Sequence, residues 1–135
     1  MSAGGSPRRV AFVLPDLGAG GAQGVAMRLA DGLDRRRWEP RLLVMGGVQA
    51  LTPPETLPVE RGASRRVLQG LPWLVRRLRA MAPEAVVATP AYANLALLAA
   101  APLLPRGTRL IVREANTPQA TLDALPSWLL RLQPY

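Results

Sequence analysis

The stretch Val10-Ala11-Phe12-Val13-Leu14-Pro15-Asp16-Leu17-Gly18-Ala19-Gly20-Gly21-Ala22-Gln23-Gly24 decides how the chain is read. Val10–Leu14 is a short, continuous apolar run bounded by turn residues, the pattern of a strand buried on both faces of a parallel sheet. Pro15, Asp16, Gly18, Gly20 and Gly21 supply turn chemistry, and the glycines let the backbone turn tightly and approach a ligand. Ala22, Val25, Ala26, Leu29 and Leu33 then recur at helical spacing, with Arg28 and Asp31 on the other side. Gly32 and the charged run Asp34-Arg35-Arg36-Arg37 end that helix. Leu42-Leu43-Val44-Met45 is a second apolar run, closed by Gly46-Gly47. Strand, glycine turn, helix and strand make a βαβ unit, whose crossover is right-handed.

The alternation continues downstream. Val48–Ser64 is looser and holds Pro53, Pro54 and Pro58, with Leu57–Val59 read as a short strand. Leu71, Leu74, Val75, Leu78 and Met81 form a helical stripe; Pro72 suits the first turn, where its missing N–H has no partner to lose, and Pro83 stops the helix. Ala85–Ala88 reads as a buried strand, Tyr92–Ala101 as an Ala-rich helix, Arg109–Val112 as a further strand, and Ser127 as the cap of a last helix through Leu132. This order predicts an α/β fold, a Rossmann-like doubly wound parallel sheet. Residues 1–9, small, polar and basic, read as a disordered tail without the apolar core of a signal peptide. The long apolar run 85–105 is broken by Pro90, Asn94 and Pro102, and reads as strand, turn and helix rather than a membrane span.

Composition narrows the chemistry. The 135 residues hold 17 basic side chains, all Arg, against 9 acidic ones, for a net charge of +8, and contain no Lys, His or Cys. A phosphate loop that needs Lys, Schiff-base catalysis, Ser-His-Asp and Cys-His nucleophiles, Cys/His zinc sites and disulfides are all excluded. Carboxylates, guanidinium groups, hydroxyls, amides and backbone N–H groups remain. Aromatic residues make up 4% of the chain, too few for a platform that stacks single-stranded nucleic acid. An Arg-only, Ala- and Pro-rich chain is also what a GC-rich genome encodes, so the missing Lys carries little functional weight.

In a doubly wound sheet, ligands bind beyond the carboxyl ends of the strands. Three loops fall there. In the first, the helix expected to start at Ala22 offers free N–H groups to a phosphate or carboxylate above Gly20 and Gly21. The spacing Gly18-x-Gly20-x-x-x-Gly24 is also close to a dinucleotide fingerprint, but that fingerprint wants an acid at the end of the second strand, where Met45-Gly46-Gly47 stands. A third reading is a tight turn and nothing more. In the middle loop, Tyr92 either packs or contacts a ligand, and Asn94 either caps a helix or does the same. In the last loop Arg113, Glu114 and Asn116 suit a sugar or a phosphate, or form a surface ion pair of small energy.

Three segments carry a resemblance: Val13–Gln23 with Leu29-Ala30-Asp31-Gly32-Leu33 behind it, Ala91-Tyr92-Ala93-Asn94-Leu95, and Ile111–Thr117. In this order and spacing, Val10–Asn116 resembles the amino-terminal domain of family 4 glycosyltransferases, which have the GT-B architecture. The resemblance implies a retaining, metal-independent transfer of a sugar from a nucleotide-sugar donor to a glycan or lipid-linked acceptor. It places Gly20, Gly21 and Gln23 at the donor phosphates and acceptor, and Tyr92, Asn94, Arg113, Glu114 and Asn116 on the acceptor side. It implies no metal and no cofactor besides the nucleotide-sugar co-substrate, and it assigns no catalytic residue. Gln23 stands where members often carry Glu, and Ala115 where many carry His. The donor-binding domain of such enzymes would lie beyond Tyr135, so 10–135 is expected to be a partial, acceptor-side half, inactive alone. The alternative is a small Rossmann-like dinucleotide-binding module.

The resemblance also implies a cytoplasmic chain. The arginine clusters at 35–37, 65–66 and 76–79 read either as a solvated face or as peripheral attachment to the anionic inner face of a membrane. No nucleic-acid motif accompanies them, and nucleic acid is not an expected partner.

Overall fold

The computed structural model describes residues 6–18, 21–89 and 91–113. The first strand, β1 (Arg8–Leu14), begins two residues before the apolar run, because Arg8 and Arg9 continue the ladder opposite Trp38 and Glu39. These two arginines therefore belong to the sheet and not to the tail expected over residues 1–9. After β1 come α1 (Gly21–Asp31), β2 (Trp38–Gly46), β3 (Val59–Ser64), α2 (Leu71–Met81), β4 (Ala85–Ala88), α3 (Ala91–Ala100) and β5 (Arg109–Val112). The helix expected at 127–132 lies outside the described residues.

All strand pairings are parallel, in the order β3-β2-β1-β4-β5. The chain winds outward from β1 in both directions, so the strand order reverses between β1 and β4. The two-residue period of β1 sorts its side chains into two cores. Val10, Phe12 and Leu14 face α1, together with Leu42 and Val44 of β2 and Ala26, Met27 and Ala30 of the helix. Ala11 and Val13 face α2 and α3, with Leu43, Met45, Leu74, Leu78 and Leu97. Each fully buried Val or Leu contributes about 1.5–3 kcal/mol relative to exposure. A Rossmann-like, doubly wound α/β fold follows, as the apolar runs predicted.

Three elements differ from the sequence reading. β2 starts at Trp38 rather than Leu42 and runs through Pro40. Leu42 donates its N–H to Pro58 O on the β3 side, so Pro40, two residues earlier, directs its nitrogen to that same side, where β3 has not yet begun. Its missing donor breaks no ladder bond. The second difference is β3, which occupies Val59–Ser64, while Leu57 is a core residue of the preceding loop. The polar sequence of β3 gives no apolar pattern; pairing with β2 makes it a strand. The third is α1, which buries Gln23, Ala26, Met27 and Ala30, leaving Leu29 about half exposed. The buried face is therefore rotated from the expected stripe through Leu29: Ala26, Met27 and Ala30 pack in the core and Gln23 bonds Asp16.

Candidate functional site

β1, β2 and β3 end side by side, and the loops after them form a cleft at the carboxyl edge of the sheet. The first loop is held from two sides. The Leu17 N–H donates to Val48 O at 2.8 Å, and Leu17 O accepts the N–H groups of Ala50 and Leu51. Leu17 itself is fully buried. The loop after β1 is thus tied to the loop after β2, and Asp16 just before it has a defined position. Asp16 Oδ1 accepts the Gly18 N–H at 2.9 Å, an Asx-type turn, and Gln23 Nε2 at 3.0 Å. The carboxylate and the amide lock each other, and among the described residues no hydrogen bond engages Oδ2.

Gly46 and Gly47 bring the neighbouring loops close. A Cβ on Gly46 would lie 2.0 Å from Ser64 O, so only glycine lets β3 end against β2 there. Gly47 has φ +68°, and a Cβ on it would meet Asp16 Cβ at 2.8 Å. The result is a cleft of about 270 Å³ lined by Asp16, Gln23, Gly47, Ser64, Arg65, Arg66 and Tyr92 of α3. α1 and α3 both begin at this edge, and neither has an acidic residue in its first turn. Their N-terminal dipoles therefore add positive potential to the cleft.

Of the expected site residues, the cleft gathers Gln23 and Tyr92, and Gly21 opens α1 next to it. Asn94 and Arg113 are placed elsewhere. Asn94 is buried and donates Nδ2 to Arg113 O at 3.0 Å, while the Arg113 N–H donates to Ala88 O. These bonds tie the end of β5 to α3 and β4. Asn94 is the fourth residue of α3, inside the helix rather than at its cap. Gly20, Glu114 and Asn116 lie outside the described residues. Thr89, at the reversal point between β1 and β4, is buried, with its hydroxyl unbonded.

Asp16, Ser64, Arg65 and Arg66 are site residues that the sequence did not single out. Asp16 reads as a turn residue, and Arg65-Arg66 as one charge cluster among several. Recognising Val59–Ser64 as a strand would have placed the arginine pair at the carboxyl edge; its polar edge character hid it.

Among the described residues, no three His, Cys, Asp or Glu side chains are grouped to hold a metal ion, and no helix is long and apolar enough to cross a membrane. No protein-family model matches the chain, and no curated protein matches it. Fold and cleft together define the class: a Rossmann-like α/β domain with a polar cleft at the carboxyl edge of its sheet.

Proposed function

We propose that this chain is the acceptor-side domain of a retaining glycosyltransferase of GT-B architecture, which moves a sugar from a nucleotide-sugar to a glycan or lipid-linked acceptor. One observation carries the reading: the locked Asp16–Gln23 pair, Ser64 and Tyr92 line one cleft at the carboxyl edge. A fixed carboxylate with an unbonded oxygen, a serine hydroxyl and an aromatic ring form a set suited to sugar hydroxyls and the apolar face of a sugar ring. Holding that carboxylate in place before the ligand arrives lowers the ordering cost of binding.

The dinucleotide alternative finds less support. β2 ends in Met45 and Gly46 without an acid for a ribose hydroxyl. A Cβ on Gly24 would meet nothing within 4 Å, so that glycine does not serve the close helix–strand packing of a dinucleotide fingerprint.

Titration of the 135-residue chain with glycans and with NAD(P) tests the proposal. Glycan binding that weakens at least about tenfold in Asp16→Asn is expected, a loss of about 1.4 kcal/mol. Preferential binding of NAD(P), unaffected by that substitution, would overturn it. The chain alone is expected not to turn over UDP- or GDP-sugars, because transition-state binding in this architecture uses both walls of an interdomain cleft.

A further inference from the structure

We propose that the amino edge of the sheet carries a site for a small oxyanion, formed by Arg9, Arg41 and Arg77 where the end of α2 lies over the first residues of β1 and β2. The site does not depend on what the carboxyl-edge cleft takes, because it lies at the other end of the strands. Arg9 and Leu14 are five residues apart along β1, roughly 16 Å.

The two-residue period of the strands builds the site. Arg9 pairs in register with Glu39, and Ala11 with Arg41. All three charged residues therefore share the sheet face of Ala11, Val13 and Leu43, the face that α2 covers. Farther along the strands that face is apolar and packed; at its amino end it is charged. There Arg9, Glu39, Arg41, Arg77, Ala80 and Met81 line a cavity of about 180 Å³, more than ten times the roughly 15 Å³ that a single water needs.

Contacts fix where each guanidinium group sits. Arg9 Nη1 donates to Met81 O, at the end of α2, at 2.9 Å. Arg41 Nη1 donates to Glu60 Oε2 at 3.2 Å, and Arg77 Nη2 pairs with Glu60 Oε1. Glu60 is thus shared by two guanidinium groups. Glu39, the carboxylate that lines the cavity, is about half exposed and comes only within 3.8 Å of Arg9 Nε, beyond hydrogen-bond reach. Arg9, Arg41 and Arg77 against Glu39 and Glu60 leave one positive charge in excess. Arg77 also has a buried Nε–H with no hydrogen-bond partner, a cost that an added acceptor would relieve. Surplus charge and surplus donors around a cavity suit an anion, and a planar guanidinium matches the paired oxygens of a carboxylate or a phosphate. An oxyanion held there would bridge β1, β2 and α2, and by binding the folded chain alone it would stabilise it.

Titration of the 135-residue chain with sodium phosphate and with sodium acetate, each against sodium chloride at the same ionic strength, tests this through amide chemical shifts. Saturating shifts are expected at residues 39–41 and 77–81, and the tighter of the two ligands assigns the class, phosphate or carboxylate. Arg77→Gln is expected to weaken binding at least about tenfold. Glu39→Gln is expected to tighten it about threefold or more, because it removes a like charge beside the ligand. Glu39→Gln alters a half-exposed side chain outside the Glu60 bridge, so its result stands even where Arg77→Gln fails to fold. Arg28→Ala removes the same charge from an exposed position on α1, across the sheet, and is expected to leave the affinity unchanged. Chloride producing the same shifts, shifts confined to other residues, an Arg28→Ala loss as large as that of Arg77→Gln, or an unchanged affinity in Glu39→Gln would each overturn the proposal.

Discussion

Asp16 and Gln23 show how one pair of side chains shapes the cleft. The amide of Gln23 donates to Asp16 Oδ1, on the same face of α1 as the buried Ala26, Met27 and Ala30, while Leu29 lies about half exposed. Gln23→Glu would set a second carboxylate about 3.0 Å from the first. It is expected to destabilise the fold by about 1–3 kcal/mol at pH 7, since like charges at that distance resist joint ionisation and the partly buried Asp16 carboxylate loses one of its two donors. A carboxyl that is harder to ionise in the folded state than in the unfolded one binds its proton more readily when folded. Acidification therefore favours the folded variant, and its deficit should narrow between pH 7 and pH 4. Urea unfolding at both values checks this; a deficit of the same size at pH 4 would contradict it. Gln23 was legible in the sequence as a loop residue of interest. Its partner was not, because a polar residue at the start of a helix reads as solvated until the strand beside it is placed.

Among the elements, α2 illustrates how well local signals can define a boundary. Pro72 occupies its first turn, and its end is set by Ala82, whose N–H donates to Leu78 O in a left-handed conformation with φ 46°. Alanine is strained there, and glycine is not. Ala82→Gly is expected to raise stability by about 0.5–1 kcal/mol, read as a higher urea midpoint with an unchanged slope. A lowered midpoint would show that the lost unfolded-state restriction outweighs the relief of strain. The turn before β2 is equally local: the Arg36 N–H donates to Asp34 Oδ1 and holds that carboxyl below its ordinary value of 3.8. β3 is the opposite case. Nothing in Val-Glu-Arg-Gly-Ala-Ser marks a strand; β2 supplies the pairing, and Glu60 bridges Arg41 of β2 and Arg77 of α2.

Among the described residues, the parallel order places β1 at the centre, paired on both sides, with β3 and β5 as the outer strands. Hydrogen exchange should follow this arrangement. The amides of Ala11–Leu14 are expected to exchange last, through global unfolding, and those of Leu110–Val112 at least about tenfold sooner. Equal protection in β1 and β5 would contradict the edge position of β5. Ile111 and Val112, both substantially exposed, fit that position. The sequence by itself determined the alternation of strands and helices, the glycine turn after β1 and the exclusion of Lys, His and Cys chemistry. Each of these follows from residue type and short-range period, which act within a few positions of the chain. Only the tertiary structure decided that a polar segment is β3, that Asn94 and Arg113 tie β5 to α3, and that Asp16, Gln23 and Ser64 line one cleft. These are contacts between segments far apart in sequence, brought together by the sheet order and by the close backbone approach at Gly46 and Gly47, and no local pattern encodes them.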